Sequence, residues 1–369
     1  MPDQTKTIIS GGGGDYTTLQ AWENDADVSG GFWKGEIQDN ASYAAVTISG
    51  PTGTPTASNY VWLTVASGNR HAGKFDTGKA RLVNTSNGTH CITVSTDFTR
   101  IEYLQIHQDS TGSSDEGIRI TSGVNDVVIS RCIILHDNSS TDGDGIYAGN
   151  YAVTDIHVDH CIIYGFQRVG IHLQNFNGSN TQTWHIDSCT IFNCGSGGEG
   201  ESGGIHSNFQ AAGSGTNNIN VYNTACMDTT NGNDFEETGT GTHNWTGTHN
   251  ACSDTSLTSV GLTTSAQESL TSSDTSQGSG TFFVVKDLTG GSEDFQLLDA
   301  AAGNIPVDNG VDRSASEPDS RQDFSIDIAG QTRGASYDIG ASEFVAAGGA
   351  ANPKGPLGHP FTGPLGGAI

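Results

Sequence analysis

VVISRCIILHD (127–137), DIHVDHCIIYG (155–165) and TWHIDSCTIFN (183–193) are three versions of one unit. In each, Ile129, Val158 or Ile186 is followed three residues later by Cys132, Cys161 or Cys189, and two residues after that by Ile134, Ile163 or Ile191. The same slots continue on both sides. RIEYLQIHQ (100–108) supplies Ile101, Leu104 and Ile106, and NVYNTACMD (220–228) supplies Val221, Thr224 and Cys226. The lead residues fall 28, 29, 28 and 35 positions apart, and a second mark recurs in each period at Gly117-Ile118, Gly145-Ile146, Gly170-Ile171 and Gly204-Ile205.

A unit of two or three short β-runs joined by Gly, Asn, Ser and Asp turns cannot bury its apolar face alone. Stacked copies form a continuous core, with strands of successive coils pairing in parallel at about 4.8 Å. The pattern predicts an all-β chain folded as a right-handed parallel β-helix. A sandwich of antiparallel hairpins does not put one residue type in one slot every 28 or 29 positions. Cys132, Cys161 and Cys189 are then an inward ladder of small, weakly polar side chains, whose parallel Cβ vectors disfavour disulfides.

Composition agrees. The 369 residues include 51 Gly, only 15% are charged, and the 34% that are hydrophobic cluster in short runs, which excludes a helical bundle or coiled coil. The net charge of −26 leaves no counterion release on phosphate binding, so neither nucleic acid nor an anionic membrane is an expected partner. No apolar run approaches the roughly 20 residues of a membrane span, and MPDQTKTIIS (1–10) lacks the basic-then-apolar pattern of a secretory signal. Seven cysteines leave at least one thiol free, and no CxxC or Cys/His zinc spacing occurs, so no metal or cofactor is expected.

The ends of such a solenoid need covering. Residues 1–50 read as an N-terminal cap and first coil, with a short capping helix in SGGGGDYTTLQAWENDAD (10–27). Asp15 or Thr17 is its cap, and Leu19 and Trp22 share one face. The Gly11–Gly14 run lacks the Gly-Lys-Ser/Thr ending of a phosphate loop and reads as a turn. Residues 51–345 read as the β-helix. Within them the repeat decays into irregular coils from about Asp228 to Gly280, and TFFVVKD (281–287) and EDFQLLD (293–299) restore strand character.

EDFQLLDAAAGNIPVDNG (293–310), then Asp327, Gly330, Arg333 and DIGASEF (338–344), resembles the terminal coil module of right-handed β-helix repeat proteins of bacteria and phages. GGGGDYTTLQAWENDA (11–26) resembles the opening of the same group. The resemblance implies a structural closing motif, in which Arg333 pairs with Asp338 or Glu343 to close the last coil. It also implies frequent trimers and functions ranging from adhesins and virion proteins to polysaccharide lyases, so fold does not settle function.

Residues 346–369 change character. GPLG occurs at 355–358 and again at 363–366, and Pro356, Pro360 and Pro364 preclude a helix or central strand. Leu357, Phe361, Leu365 and Ile369 are sparse apolar anchors, with His359 between the two turns, so the segment reads as an extended arm that docks on another surface.

Enzymes of this fold work on a side face, where outward residues of successive coils line a groove. The row after the Gly-Ile mark is Arg119, Tyr147, His172 and His206, and the preceding turns carry Asp115, Glu116, Asp142, Asp144, Arg168, Glu199 and Glu201. Such groups could serve glycoside hydrolysis or a lyase. Asp144 with Arg119, Tyr147, His172 and His206 is the candidate glycan face, although solvated turns of an acidic chain look the same. A second row, Tyr103, Arg131, His160 and Ser188, reads as ordinary exterior. A secreted lyase needs an export signal. A tailspike usually carries a particle-binding region ahead of its β-helix, whereas here the cap region starts by Ser10. The expectation is therefore a non-enzymatic virion protein made in the host cytoplasm: a homotrimeric capsid decoration or cement protein attached to a capsid protein through the arm. The alternative is a tailspike-type protein that binds or depolymerises a polysaccharide.

Overall fold

The computed structural model describes residues 3–262 apart from 138–142, 150–152, 177–179, 198–200, 211–214, 228 and 230. Beyond 262 it describes 268–269, 283–285, 294–297, 310–313, 323–333 and 337–343. The described strands form three long parallel sheets of nine, nine and seven strands, and the chain visits them in turn, one strand of each per coil. This is the right-handed parallel β-helix that the spacing predicts. In the central coils the first sheet takes Asn125–Ser130, Thr154–Asp159 and Thr181–Asp187, and the second takes Ile133–His136, Ile162–Tyr164 and Thr190–Phe192. The third takes Ile118–Ile120, Ile146–Gly149 and Val169–Asn175.

The repeat slots are ladder positions. Ile101, Ile129, Val158, Ile186 and Val221 pair in one register on the first sheet. Ile106, Ile134, Ile163, Ile191 and Cys226 do so on the second, and Ile118, Ile146, Ile171 and Ile205 on the third. All lie in the buried core. The glycine of each Gly-Ile mark sits where a Cβ would collide with a core side chain: Gly117 against Ile134, Gly145 against Ile163 and Gly170 against Ile191, at 2.5–2.6 Å. Close packing of two columns therefore fixes the glycine.

Between the first and second sheets the chain turns on a single left-handed residue: Tyr103, Arg131, His160, Ser188 and Asn223, with φ between 49° and 60°. Each N–H donates to a carbonyl of the next coil, as from Arg131 to Asp159 at 3.0 Å and from His160 to Asp187 at 3.0 Å, which offsets the steric cost of about 1–2 kcal/mol per residue. Directly after these corners Cys132, Cys161 and Cys189 point inward with no exposure, and all seven cysteines are free thiols. Their Sγ–H groups donate to carbonyls of the preceding coil, Cys161 to Ile129 and Cys189 to Val158 at 3.5 Å.

At the N-terminal end the helix Leu19–Asn24 buries Leu19 and Trp22 over the first coils. Its cap is Thr18, whose hydroxyl accepts the Ala21 N–H at 3.1 Å, not Asp15 or Thr17. Asp15 instead accepts the N–H and hydroxyl of Thr7, closing the preceding turn. No helix among the described residues is long and apolar enough to cross a membrane.

The C-terminal part departs from the expected coil closure in two ways. The ladder does not decay at Asp228: Phe235 pairs with Ile205, Trp245 with Ile219 and Cys252 with Cys226, so the parallel stack continues in register. Phe283–Val285 and Asp294–Leu297 then pair antiparallel. Residues 310–343, as far as they are described, do not close the last coil but run back along the outside of the second sheet. Ile328, Ile339 and Ala341 form a second apolar cluster with Ile133, Leu135, Ile162, Tyr164, Phe192 and Met227, side chains that face away from the first core. From Ile133 to Met227 the strands of the second sheet are buried on both faces, which is why the repeats at 132–134 and 161–163 read Cys-Ile-Ile rather than alternating. Within this clasp Arg333 pairs with Glu343 at 3.3 Å and donates to the carbonyls of Asp338 and Gly340, while the Asp338 N–H donates to Glu343. The arm, with Pro356, Leu357, His359, Pro360, Phe361, Pro364, Leu365 and Ile369, lies outside the described residues.

Candidate functional site

The third sheet places Arg119, Tyr147, His172 and His206 directly above one another on its outer face, one per coil. Two residues ahead of the paired isoleucines, a second column carries His90, Glu116 and Asp144. The five candidate residues therefore occupy one patch.

Asp144 is its centre. It has no exposure and accepts from Arg168 Nε at 3.0 Å, Arg168 Nη2 at 2.6 Å, the Val169 N–H at 3.1 Å and His172 Nδ1 at 3.0 Å. Burial opposes its ionisation, but His172 and Arg168 outweigh that and hold the carboxyl below its usual range. The Tyr147 hydroxyl donates to Gln174 at 2.6 Å, and burial pushes its pKa up to about 12. His172 and His206 stack at 5.3 Å, and burial, then His172, push His206 down to about 3. Next to this, Glu116 contacts His90 and lies 3.8 Å from Arg119, whose guanidinium sits 5.3 Å from the Tyr147 ring centre.

Burial divides the patch. Asp144, His172 and His206 have no exposure and Tyr147 has 6%, whereas the side chains of Arg119, Arg168 and Glu201 are 36%, 17% and 24% exposed. The inner groups are tied to their neighbours, although His172 Nε2 and His206 Nδ1 are buried without a hydrogen-bond partner, and what this face exposes is the rim of Arg119, Arg168 and Glu201. Asp115 is separate, buried and bonded to the Ser110 hydroxyl at 2.6 Å. Asp142 and Glu199 lie outside the described residues. The sequence reading missed His90 and Gln174. Extending the Gly-Ile slot back to Cys91-Ile92 would have exposed His90 as the partner position of Glu116.

The second row is not ordinary exterior. Arg131, His160 and Ser188 are buried corner residues, because the clasp covers them. Arg131 donates to the carbonyls of Asp323, Ile326 and Asp327, and the His160 ring packs on Phe324 at 5.4 Å.

Two groups of potential metal-ligating side chains occur among the described residues. In one, Asp234, Cys252 and Asp254, the carboxylates are already engaged. Asp234 accepts from Thr229 at 2.7 Å and from Ser253 N–H and hydroxyl at 2.6 and 2.7 Å, and Asp254 accepts from Asp234 and Ser256 N–H groups. This group locks turns. The other is His107, Asp109 and Asp137.

No protein-family model and no curated protein matches the chain. Among solved structures, that of pectate lyase Pel9A aligns over 93% of this chain and 96% of its own, at 13% identity and a TM-score of 0.47. Pectin methylesterase from carrot aligns over 74% of this chain and 90% of its own, at 11% identity and a TM-score of 0.36. At such identities no residue role transfers, and the parallel β-helix stands on the chain's own three sheets.

Proposed function

We propose that this chain is a non-enzymatic structural β-helix, a decoration or cement component of a phage virion held to a capsid protein through residues 346–369 and acting as a homotrimer. The observation that supports a structural rather than catalytic reading is the state of Asp144, His172 and His206. They are the charged and titratable centre of the side face, yet they are fully buried and engaged with neighbouring side chains. A general acid or base must reach its substrate within hydrogen-bond distance, and this centre is covered. The clasp, which ties several coils together from outside, suits a rigid spacer.

The second reading, a tailspike-type protein that binds or cleaves a polysaccharide, draws on the partly exposed rim of Arg119, Arg168 and Glu201 beside Glu116. Incubation with a panel of bacterial and algal polysaccharides distinguishes the two. The structural reading expects neither reducing ends nor unsaturated sugars. Release that disappears in Arg119→Ala, a change at the rim that leaves the buried network intact, would put the glycan-active reading in its place.

A further inference from the structure

We propose that His107, Asp109 and Asp137 form a binding site for a divalent first-row transition ion of the zinc class, tying two successive coils together on the flank of the second sheet. His107 lies on the strand Gln105–Gln108, and Asp109 follows that strand directly. Asp137 directly follows Ile133–His136, and because Gln108 pairs with His136 the two aspartates occupy one slot a coil apart. A ring nitrogen of His107 and one carboxylate oxygen from each aspartate all lie within 4.8 Å of one another, with His107 Nε2 and Asp137 Oδ1 at 2.8 Å. Zinc bonds of about 2.0–2.2 Å to such donors separate ligand atoms by roughly 3–3.5 Å, so rotamer adjustment alone closes the set.

Three features favour an ion. The donors come from framework positions: the His107 ring is set edge-on against Phe75 at 5.6 Å, and the Asp109 N–H is bonded to the Asn84 carbonyl at 2.8 Å. The His107 and Asp137 side chains are 14% and 35% exposed, which leaves room for water to complete the coordination. The His107 ring already meets Asp137, so donors from neighbouring coils converge on one point beside the slot of Asp109. The imidazole nitrogen selects the metal class, since calcium and magnesium take oxygen ligands. No short Cys/His motif announces the site, because the coil period brings residue 137 beside 107 and 109.

The test uses the full chain, stripped with chelator, dialysed, and titrated calorimetrically with zinc chloride. The expected result is saturable binding of a single equivalent, a rise in Tm of roughly 2–4 °C at saturation, and no comparable binding of calcium. His107→Ala and Asp137→Asn are each expected to weaken zinc binding by about 10-fold or more, with unchanged circular dichroism. Asp109→Asn is a further variant should either fail to fold. Absence of saturable zinc binding, binding undiminished in the folded variants, or equal affinity for calcium would overturn the assignment.

Discussion

The side-chain amide of Asn223 grips Val311 at both main-chain groups: Oδ1 accepts the Val311 N–H at 2.8 Å and Nδ2 donates to the Val311 carbonyl at 2.9 Å. Asn223 is the left-handed corner of its coil, in the column where Arg131 holds Ile326 and Asp327. The Asn223 carbonyl in turn accepts the Gly340 N–H at 2.7 Å, and the Thr190 hydroxyl accepts the Ala341 N–H at 3.0 Å. The clasp is therefore docked on the corner column by main-chain recognition, with the apolar seam of the second sheet beneath it.

Asn223→Ala should loosen the clasp before it unfolds the solenoid. Loss of two hydrogen bonds and of a residue tolerant of the left-handed conformation is expected to cost about 2–3 kcal/mol. Limited proteolysis should show faster cleavage in the C-terminal quarter while far-UV circular dichroism is retained. Wild-type protease resistance in the variant would contradict this docking.

Ile163→Asp strikes the core column itself. Ile163 is fully buried between Ile134 and Ile191, and an unpaired carboxylate there costs several kcal/mol against a total stability of about 5–15 kcal/mol. The variant is expected in the insoluble fraction on expression, and a soluble protein with wild-type Tm would contradict the core assignment.

The fold was legible because slots such as Ile101, Ile129 and Val158 are ladder partners, and the period of a solenoid is written directly in its sequence. The side-face column of Arg119, Tyr147, His172 and His206 was legible for the same reason. The clasp was not, because nothing local in 310–343 says which surface it meets. A trace of it existed in Ile133 and Ile162, apolar at positions that a one-sided strand would leave polar. The corner residues misled because Arg131 and His160 look like solvated side chains until a distant segment covers them. The burial that separates Asp144 from the rim is likewise a tertiary property.

The pH response of His206 follows from its burial. Its pKa is pushed down to about 3, while an unfolded histidine titrates near about 6.5. Between these values the unfolded chain binds a proton that the folded chain does not, so this group lowers stability as pH falls through 6.5. Asp187 and Asp234, pushed up to about 6 by burial, and Glu343, pushed up to about 7, act in the opposite direction in an overlapping window. Comparison with His206→Asn isolates the histidine. Denaturant titrations from about pH 7 to about pH 4 should show wild type losing on the order of 1–3 kcal/mol relative to the variant. Parallel stability curves would show that His206 takes up its proton equally in the folded and unfolded chain, and would contradict the lowered pKa.

The proposed role rests on the arm, and the most direct measurement is co-sedimentation of the full chain and of a 1–345 truncation with purified particles of the phage that the proposal takes as the chain's source. Burying Phe361, Leu357 and Leu365 would contribute roughly 1.5–3 kcal/mol each before ordering costs, and three arms of a trimer acting together would bind far more tightly. The account predicts that the full chain pellets with the particles and that the truncated chain, with unchanged circular dichroism, stays in the supernatant. Equal pelleting of both would place attachment on the β-helix, and pelleting of neither would contradict the virion role.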